Sequence, residues 1–195
     1  MNSNSKRIAK NTFFLYIRMG MLMLITLYTS RVLLDKIGVQ DFGIYNVIGG
    51  MAGMFTFFSS SLANATQRFL NIELGKGCID NARLIFQQHF TLYLVIILGV
   101  VVVAEPVGLW LIYNKLVIPP DRLVAAIWVF QFTLLSLCFT FVGIVFNSEI
   151  VSHEDMKVYS YIGVIEGLAK LLICYVIAIS DHNRLIFYGF LLMLL

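Results

Sequence analysis

The sequence predicts an all-α membrane protein, a polytopic bundle of about six transmembrane helices, the last of them truncated. Hydrophobic residues make up 59% of the 195 residues and charged residues only 13%, a balance that a water-facing surface does not have. Apolar runs of about 20 residues, the length that crosses the hydrocarbon core of a bilayer, recur along the chain. Because lipid leaves every backbone polar group to be satisfied within its own segment, these runs are expected to be helices.

The first span is predicted near 12–34, after a tail that carries Lys6, Arg7 and Lys10. That order is typical of a signal peptide, but the run is too long and no small-x-small cleavage site follows it, so we expect a retained span. Further spans are predicted near 42–63, 89–113, 122–147, 157–179 and 185–195. Since the last run, LIFYGFLLMLL, reaches Leu195 without a polar flank, we expect the chain to be the N-terminal lobe of a longer protein.

An amphipathic connection at 64–88 separates the second and third spans. Its pattern predicts an interfacial helix, a turn at 75–77 and a second helix. Seven Lys and Arg residues fall on the side of the N-terminal tail, five on the other side and two within spans. The positive-inside rule therefore places the N-terminus in the cytoplasm.

Three of the spans carry small or polar residues at every third or fourth position. These stripes are Asn46, Gly49, Gly53, Thr56, Ser60 and Asn64 in the second span; Thr133, Ser136, Thr140, Gly143 and Asn147 in the fourth; and Tyr159, Gly163, Glu166, Gly167 and Lys170 in the fifth. Small residues allow close helix packing, whereas polar faces line hydrated cavities. Both interpretations stay open for each stripe.

Two arginines lie in the first span, where a charge is costly. Arg18 has no acidic residue within its span and keeps its charge permanently, so it is a candidate either for binding an anionic substrate or for an ion pair with another helix. Arg31 lies near the end of the span, where its side chain can reach the interface, and is a second candidate for substrate binding.

Three other charges are candidates for ion pairing or for coupling to an ion. Glu105 precedes Pro106 in the third span; it is expected to be protonated, to pair with Arg31 or to carry a coupling proton. Glu166 and Lys170 are four residues apart in the favourable order, which predicts mutual neutralisation on one helix face.

No motif of an enzyme, a metal site or a cofactor site is present. Cys78, Cys138 and Cys174 are far apart and lack metal-ligand or disulfide spacing, and the acidic stretch around His153 is interpreted as a solvated loop. There is no block of basic residues that indicates nucleic acid. Membrane lipids are the only partners that composition implies.

Two stretches resemble a known family. LYTSRVLLDKIGVQDFGIYNVIGGMAGMF, followed by SLANATQRFLNIELGKG, is similar to the N-terminal part of Wzx-type polysaccharide (O-antigen) flippases of the multidrug/oligosaccharidyl-lipid/polysaccharide exporter superfamily. SHEDMKVYSYIGVIEGLAKLL resembles the region of their fourth and fifth spans. Arg68, in ATQRF, is similar to a motif residue of the family, although its place in the connection suits docking to the membrane surface.

The resemblance implies two related lobes of six helices with the substrate between them. It implies an alternating-access transporter in the bacterial inner membrane that flips an undecaprenyl-diphosphate-linked oligosaccharide for polysaccharide or lipopolysaccharide biosynthesis. Arg18 and Arg31 would meet the diphosphate, and the expected partners are the C-terminal lobe of the same chain and polysaccharide assembly enzymes. The alternatives are a cation-coupled multidrug antiporter of the same superfamily and a membrane scaffold without transport activity.

Overall fold

The computed structural model describes the backbone of residues 3–179 and 183–195, and the side chains of 12–55, 58–179 and 183–195. The side chains of Lys6, Arg7, Lys10 and Thr56 lie outside this part. The predicted all-α class is confirmed, since the described residues form seven helices and no strand. The helices are α1 (Ser3–Ile37), α2 (Val39–Gly53), α3 (Thr56–Gly75), α4 (Ile79–Asn114), α5 (Leu123–Ser152), α6 (Met156–Ile179) and α7 (Arg184–Met193).

Four helical segments of the described chain are long and apolar enough to cross a membrane: Thr12–Ile37, Ile79–Asn114, Leu123–Ser152 and Met156–Ile179. Val39–Gly53 and Phe58–Gly75 qualify together as a fifth span, while α7 is a shorter apolar helix. Many large apolar side chains on these helices are exposed, for example Leu24 and Val95. An exterior of this kind suits lipid rather than water.

The second span differs from its prediction because it is bent. Val39–Gly53 and Phe58–Gly75 are inclined by 42°, and the amides of Met54 and Phe55 bond to carbonyls three residues earlier instead of four. Glycines precede the break, and serines follow it in the sequence GGMAGMFTFFSSS. Such residues weaken a helix without any proline, which accounts for the bend.

The amphipathic connection at 64–88 was predicted to be a separate interfacial segment. In the structure it is instead part of two long helices. α3 runs through its first half to Gly75, and α4 begins at Ile79, ten residues before the predicted start of the third span. The chain turns between them through Gly77, whose φ of 75° suits glycine. The turn therefore lies where the sequence predicts it, but it joins two long helices directly.

α5 forms the centre of the bundle. Its buried side chains include Val129, Phe141 and Val145, and they join residues of α2, α4 and α7 in the main core. A Cβ at Gly108 of α4 would collide with the ring of Phe130 on α5. This glycine therefore allows the two helices to approach closely.

α1 lies beside α6 rather than in the centre. The ends of both helices join α7 through a second core made of Leu33, Ile173, Cys174, Ile177 and Tyr188. The ring of Tyr188 also meets Tyr45 of α2, with centroids 4.8 Å apart. The α1–α6 pair is thus fastened to the rest of the bundle mainly through its C-terminal half.

Contacts between helix ends define two sides of the bundle. Near the ends of α1, α4 and α6, which we name the opposite side, Arg122 Nε lies 3.3 Å from Asp41 and Arg184 donates to the carbonyl of Lys36 at 2.8 Å. At the other end, the N-terminal side, a crevice is lined by α3, α4 and α5 around Leu74, Ile79 and His153. Successive spans therefore cross in alternating directions, as a multi-pass topology requires.

Candidate functional site

Arg18 lies in a seam between α1 and α6, together with Tyr159 and Gly163. Its guanidinium carbon is 4.2 Å from the centroid of the Tyr159 ring, in cation–π contact. A Cβ added at Gly163 would collide with Arg18 Nε and approach its Cζ at 2.8 Å. The absence of a side chain at Gly163 therefore makes the space that the guanidinium occupies. We refer to these three residues as the Arg18 seam.

The guanidinium in the Arg18 seam is held without an acidic partner. Arg18 Nε is buried and has no hydrogen-bond partner, whereas the two terminal nitrogens are not enclosed in this way. None of the ion pairs found in the described part of the chain includes Arg18. The seam thus presents a permanent positive charge whose outer edge is open to a planar, bidentate anion such as phosphate.

The stripe of the fifth span has two parts: its glycines pack against α1, and its two charged residues pair with each other. One turn beyond the Arg18 seam, a Cβ at Gly167 would lie 2.9 Å from Leu22 and 3.0 Å from Ile25 of α1. Gly163 and Gly167 therefore form a G-x-x-x-G pair along which α1 and α6 approach closely. The packing interpretation accounts for these two glycines.

Glu166 and Lys170 form the ion pair that their spacing predicts. Lys170 Nζ donates to Glu166 Oε1 at 2.7 Å, and both side chains are 46% exposed. The pair lies on α6 next to the glycines that contact α1. Each charge is compensated by the other, so neither depends on a residue of another helix.

Arg31 does not join Arg18 in one site. The two residues are thirteen positions apart on the same helix, which corresponds to about 20 Å along its axis. The Arg31 side chain is exposed, and none of the described ion pairs includes it. If both arginines bind one substrate, they do so at different depths.

Glu105 has a partner that sequence reasoning missed. Gln131 of α5 donates a hydrogen bond to Glu105 Oε1 at 2.6 Å, and the carboxyl group forms no ion pair with Arg31. The expectation of a Glu105–Arg31 pair is therefore wrong for the structure described. The sequence signal that was available is Gln131 itself, a polar residue in an otherwise apolar stretch.

Three polar residues from the stripes of the second and fourth spans lie on one face of the bundle. α3 and α5 run in the same direction and meet where Ser148 donates to the carbonyl of Ala63 at 3.5 Å. Viewed along the helices, Asn64 of α3 and Thr140 and Asn147 of α5 all lie on the side of this contact that faces away from α4. These three side chains are exposed. We name this surface the polar face.

A buried hydrogen-bond network between α3 and α4 was not predicted. The hydroxyl of Thr66 donates to the carbonyl of Leu62 at 3.0 Å, and its oxygen lies 2.8 Å from His89 Nδ1 and 2.9 Å from the Tyr93 hydroxyl. The Thr66 hydroxyl has only one proton, which it gives to Leu62. It therefore accepts hydrogen bonds from both His89 and Tyr93. His89 and Tyr93 follow Thr66 by 23 and 27 residues, so no short sequence pattern could indicate that the three side chains meet.

The described residues contain no group of three or more His, Cys, Asp or Glu side chains that could hold a metal ion. Glu149, in the last turn of α5, and His153, which follows that helix, line the crevice on the N-terminal side with Arg83. The crevice is otherwise apolar. It is separate from the Arg18 seam.

The fold and its apolar exterior define a multi-pass membrane protein. No protein-family model, curated protein or solved structure matches this chain. A functional proposal for the chain therefore depends on its residues and their geometry.

Proposed function

We propose that this protein is an alternating-access transporter that flips an undecaprenyl-diphosphate-linked oligosaccharide across the bacterial inner membrane, with its N-terminus in the cytoplasm. The observation that carries the proposal is the uncompensated guanidinium of Arg18 in the Arg18 seam. A permanent charge within a span is costly, and a bound anion relieves that cost only while substrate is present. Such a charge suits a substrate that binds and leaves.

The polar face supports the transport part of the proposal. Asn64 and Asn147 are exposed amide groups on membrane-spanning helices, where contact with lipid is unfavourable, whereas the exposed hydroxyl of Thr140 already donates to the carbonyl of Ser136 at 2.9 Å. A hydrated path satisfies the two amides, and a glycan needs such a path because its hydroxyl groups cannot cross hydrocarbon unsolvated. The resemblance of the sequence to Wzx-type flippases agrees with this combination of an anion site and a polar surface.

Arg18→Ala and Arg18→Lys test the proposal in cells whose surface glycan depends on this protein. Loss of one guanidinium–phosphate contact in a shielded site costs about 1.5 to 3 kcal/mol, roughly a tenfold to hundredfold weakening. We therefore expect Arg18→Ala to abolish most glycan display at unchanged membrane abundance. We expect Arg18→Lys to restore it partly, because it keeps the charge without the planar fork.

Lys157→Ala is the control, since it removes an exposed positive charge near the start of α6 from a residue outside the Arg18 seam, and it should leave display unchanged. Normal display by a well-expressed Arg18→Ala variant would refute the role in substrate binding. A fall in abundance that matches the fall in display would indicate a structural role for Arg18 instead.

A cation-coupled multidrug antiporter is the second candidate, and Glu105 favours it. Its carboxyl group lies within a span, next to Pro106, with Gln131 as its hydrogen-bond partner and no ion pair in the described chain. An acidic side chain within a span is a candidate site for binding a coupling cation. Proton-coupled efflux of a cationic dye that is lost in Glu105→Gln would establish this candidate over the flippase.

A further inference from the structure

We infer that Tyr159 and Gly163 are positioning residues that fix the orientation of the Arg18 guanidinium, so that its terminal edge faces outwards to bind an anion. The inference concerns how α6 holds Arg18. Its link to a diphosphate rests on the proposed function.

Gly163 decides whether the guanidinium enters the seam. Any Cβ at this position would collide with Nε, and would also lie 2.8 Å from Cζ and 2.9 Å from Nη2. With a larger residue at position 163, the Arg18 side chain would have to turn away from α6, towards lipid or water. The glycine therefore has a role at this position beyond the close packing that it shares with Gly167.

Tyr159 decides how the guanidinium is turned. The ring is one helical turn before Gly163 and lies 4.2 Å from Arg18 Cζ. Stacking on a ring face fixes the plane of the guanidinium and leaves its edge free for hydrogen bonds. In the seam one side of that edge, Nε, is buried against α6 without a partner, while the terminal nitrogens stay accessible.

The Arg18 seam therefore stabilises the cation with the face of an aromatic ring, without neutralising its charge as a carboxylate would. A carboxylate would neutralise Arg18 permanently and compete with any incoming anion. A tyrosine ring stabilises the cation through its face and leaves the hydrogen-bonding capacity of the guanidinium unused. This difference is why we assign the pair to positioning rather than only to helix association.

Arginine-specific modification tests the positioning directly. The full chain, purified in detergent, is treated with phenylglyoxal, and the rate of modification at Arg18 is measured by peptide mass spectrometry, with exposed Arg31 as the internal standard. In the wild-type protein Arg18 should react several times more slowly than Arg31, because the Tyr159 ring covers one face of its guanidinium and Nε is buried, even though the terminal edge is open to a planar anion. Gly163→Ala should raise the Arg18 rate to about that of Arg31, because the guanidinium is displaced from the seam.

Gly167→Ala is the matched control, since it crowds the same helix pair against Leu22 and Ile25 without touching Arg18. It should leave the Arg18 rate unchanged. Tyr159→Phe keeps the ring and should do the same, whereas Tyr159→Leu should raise the rate about threefold to fivefold, the scale of one cation–π contact. Equal effects of Gly163→Ala and Gly167→Ala, or no effect of Tyr159→Leu, would overturn the inference.

Binding of farnesyl diphosphate to the same variants separates the inference from the proposed function. We expect Gly163→Ala and Arg18→Ala to weaken binding about tenfold or more and Gly167→Ala to leave it unchanged. If modification follows the expected order but the wild-type protein does not bind farnesyl diphosphate, the positioning role holds and the diphosphate substrate is refuted. If farnesyl diphosphate binds equally well to wild type and Gly163→Ala, the positioning role is refuted and the anion site stays with Arg18 alone.

Discussion

Arg18 keeps a permanent charge within a span beside a ring and a space that α6 supplies. Its permanent charge and the lack of an acid in its span were visible in the sequence, and they selected it as a candidate. Its neighbours were not visible, because Tyr159 and Gly163 lie on α6, which four other helices separate from α1 along the chain. The glycine appeared only as one member of a stripe. The spacing of small and polar residues along one helix does not show whether a stripe packs against another helix or stays exposed, because that depends on tertiary contacts.

Glu166 and Lys170 were predictable because both partners lie on one helix turn. Their mutual neutralisation gives a prediction at the residue scale. On the insertion scale an unpaired charge within a span costs about 2.5 to 3.5 kcal/mol, so Glu166→Gln or Lys170→Met alone should lower membrane abundance and transport. The double variant should recover both, because it leaves no unpaired charge.

Membrane abundance and glycan display of the three variants would be measured together. As a control, Asp35→Asn removes an acid from the exposed Asp35–Lys36 contact at the end of α1, where water replaces the partner, and it should change little. A double variant no better than either single variant would show that the charges act separately, for example by binding a ligand.

At the scale of whole elements, the main surprises are the bend in the second span and the direct joining of α3 to α4. The bend had a sequence signal in its glycines and serines, although no proline marked the position. The amphipathic pattern of 64–88 predicted helices on both sides of the turn, but it did not predict that they continue the spans. Hydropathy detects only the apolar part of a helix and is insensitive to its polar extension. The hydrogen bonds of Thr66 lie in that extension and fasten the two helices together.

Thr66→Val tests this link between elements. Valine has nearly the same shape but removes the acceptor of His89 and Tyr93 and leaves both groups unsatisfied. We expect a loss of about 1 kcal/mol in stability, within the range measured for hydrogen bonds between membrane helices. It would be detected as a lower midpoint of unfolding in detergent.

Thr91→Val is the matched control for Thr66→Val. Thr91 lies on α4, is exposed and bonds only to the carbonyl of Gln87 in its own helix, at 3.0 Å. It should unfold at the wild-type midpoint. Equal midpoints for the two variants would mean that the buried network adds nothing to the α3–α4 contact.

For the whole molecule, the all-α class followed from composition and run length. The number of spans did not, because four helical segments of the described chain, or five with the bent pair, are long and apolar enough to cross a membrane instead of the six predicted. Orientation in the membrane depends on the distribution of basic residues and gives the remaining prediction. The N-terminal tail and the α3–α4 turn should both be cytoplasmic. Single cysteines placed at Ser5 and Asn81, in a chain whose own Cys78, Cys138 and Cys174 are replaced, should resist an impermeant thiol reagent in intact cells and react after permeabilisation.

A cysteine at Val117 is the control, because it lies in the α4–α5 loop on the opposite side and is fully exposed. It should react in intact cells. Labelling of Ser5 or Asn81 from outside would reverse the orientation and, with it, the direction of transport.

The Arg18 seam has a consequence for the biogenesis of the protein. During synthesis α1 leaves the ribosome before α2, α3, α4 and α5, whereas Tyr159 and Gly163 emerge only with α6. For that interval Arg18 has no ring to stack on and no glycine to lie against, and its charge must be accommodated by lipid headgroups or by the insertion machinery. Because Arg18 lies in the N-terminal half of its span, its side chain can reach the N-terminal side of the bilayer until α6 is inserted. Insertion of α6 then lets Arg18 move into the seam, so the proposed anion site is completed late in assembly and is missing from a chain that stalls before α6 inserts.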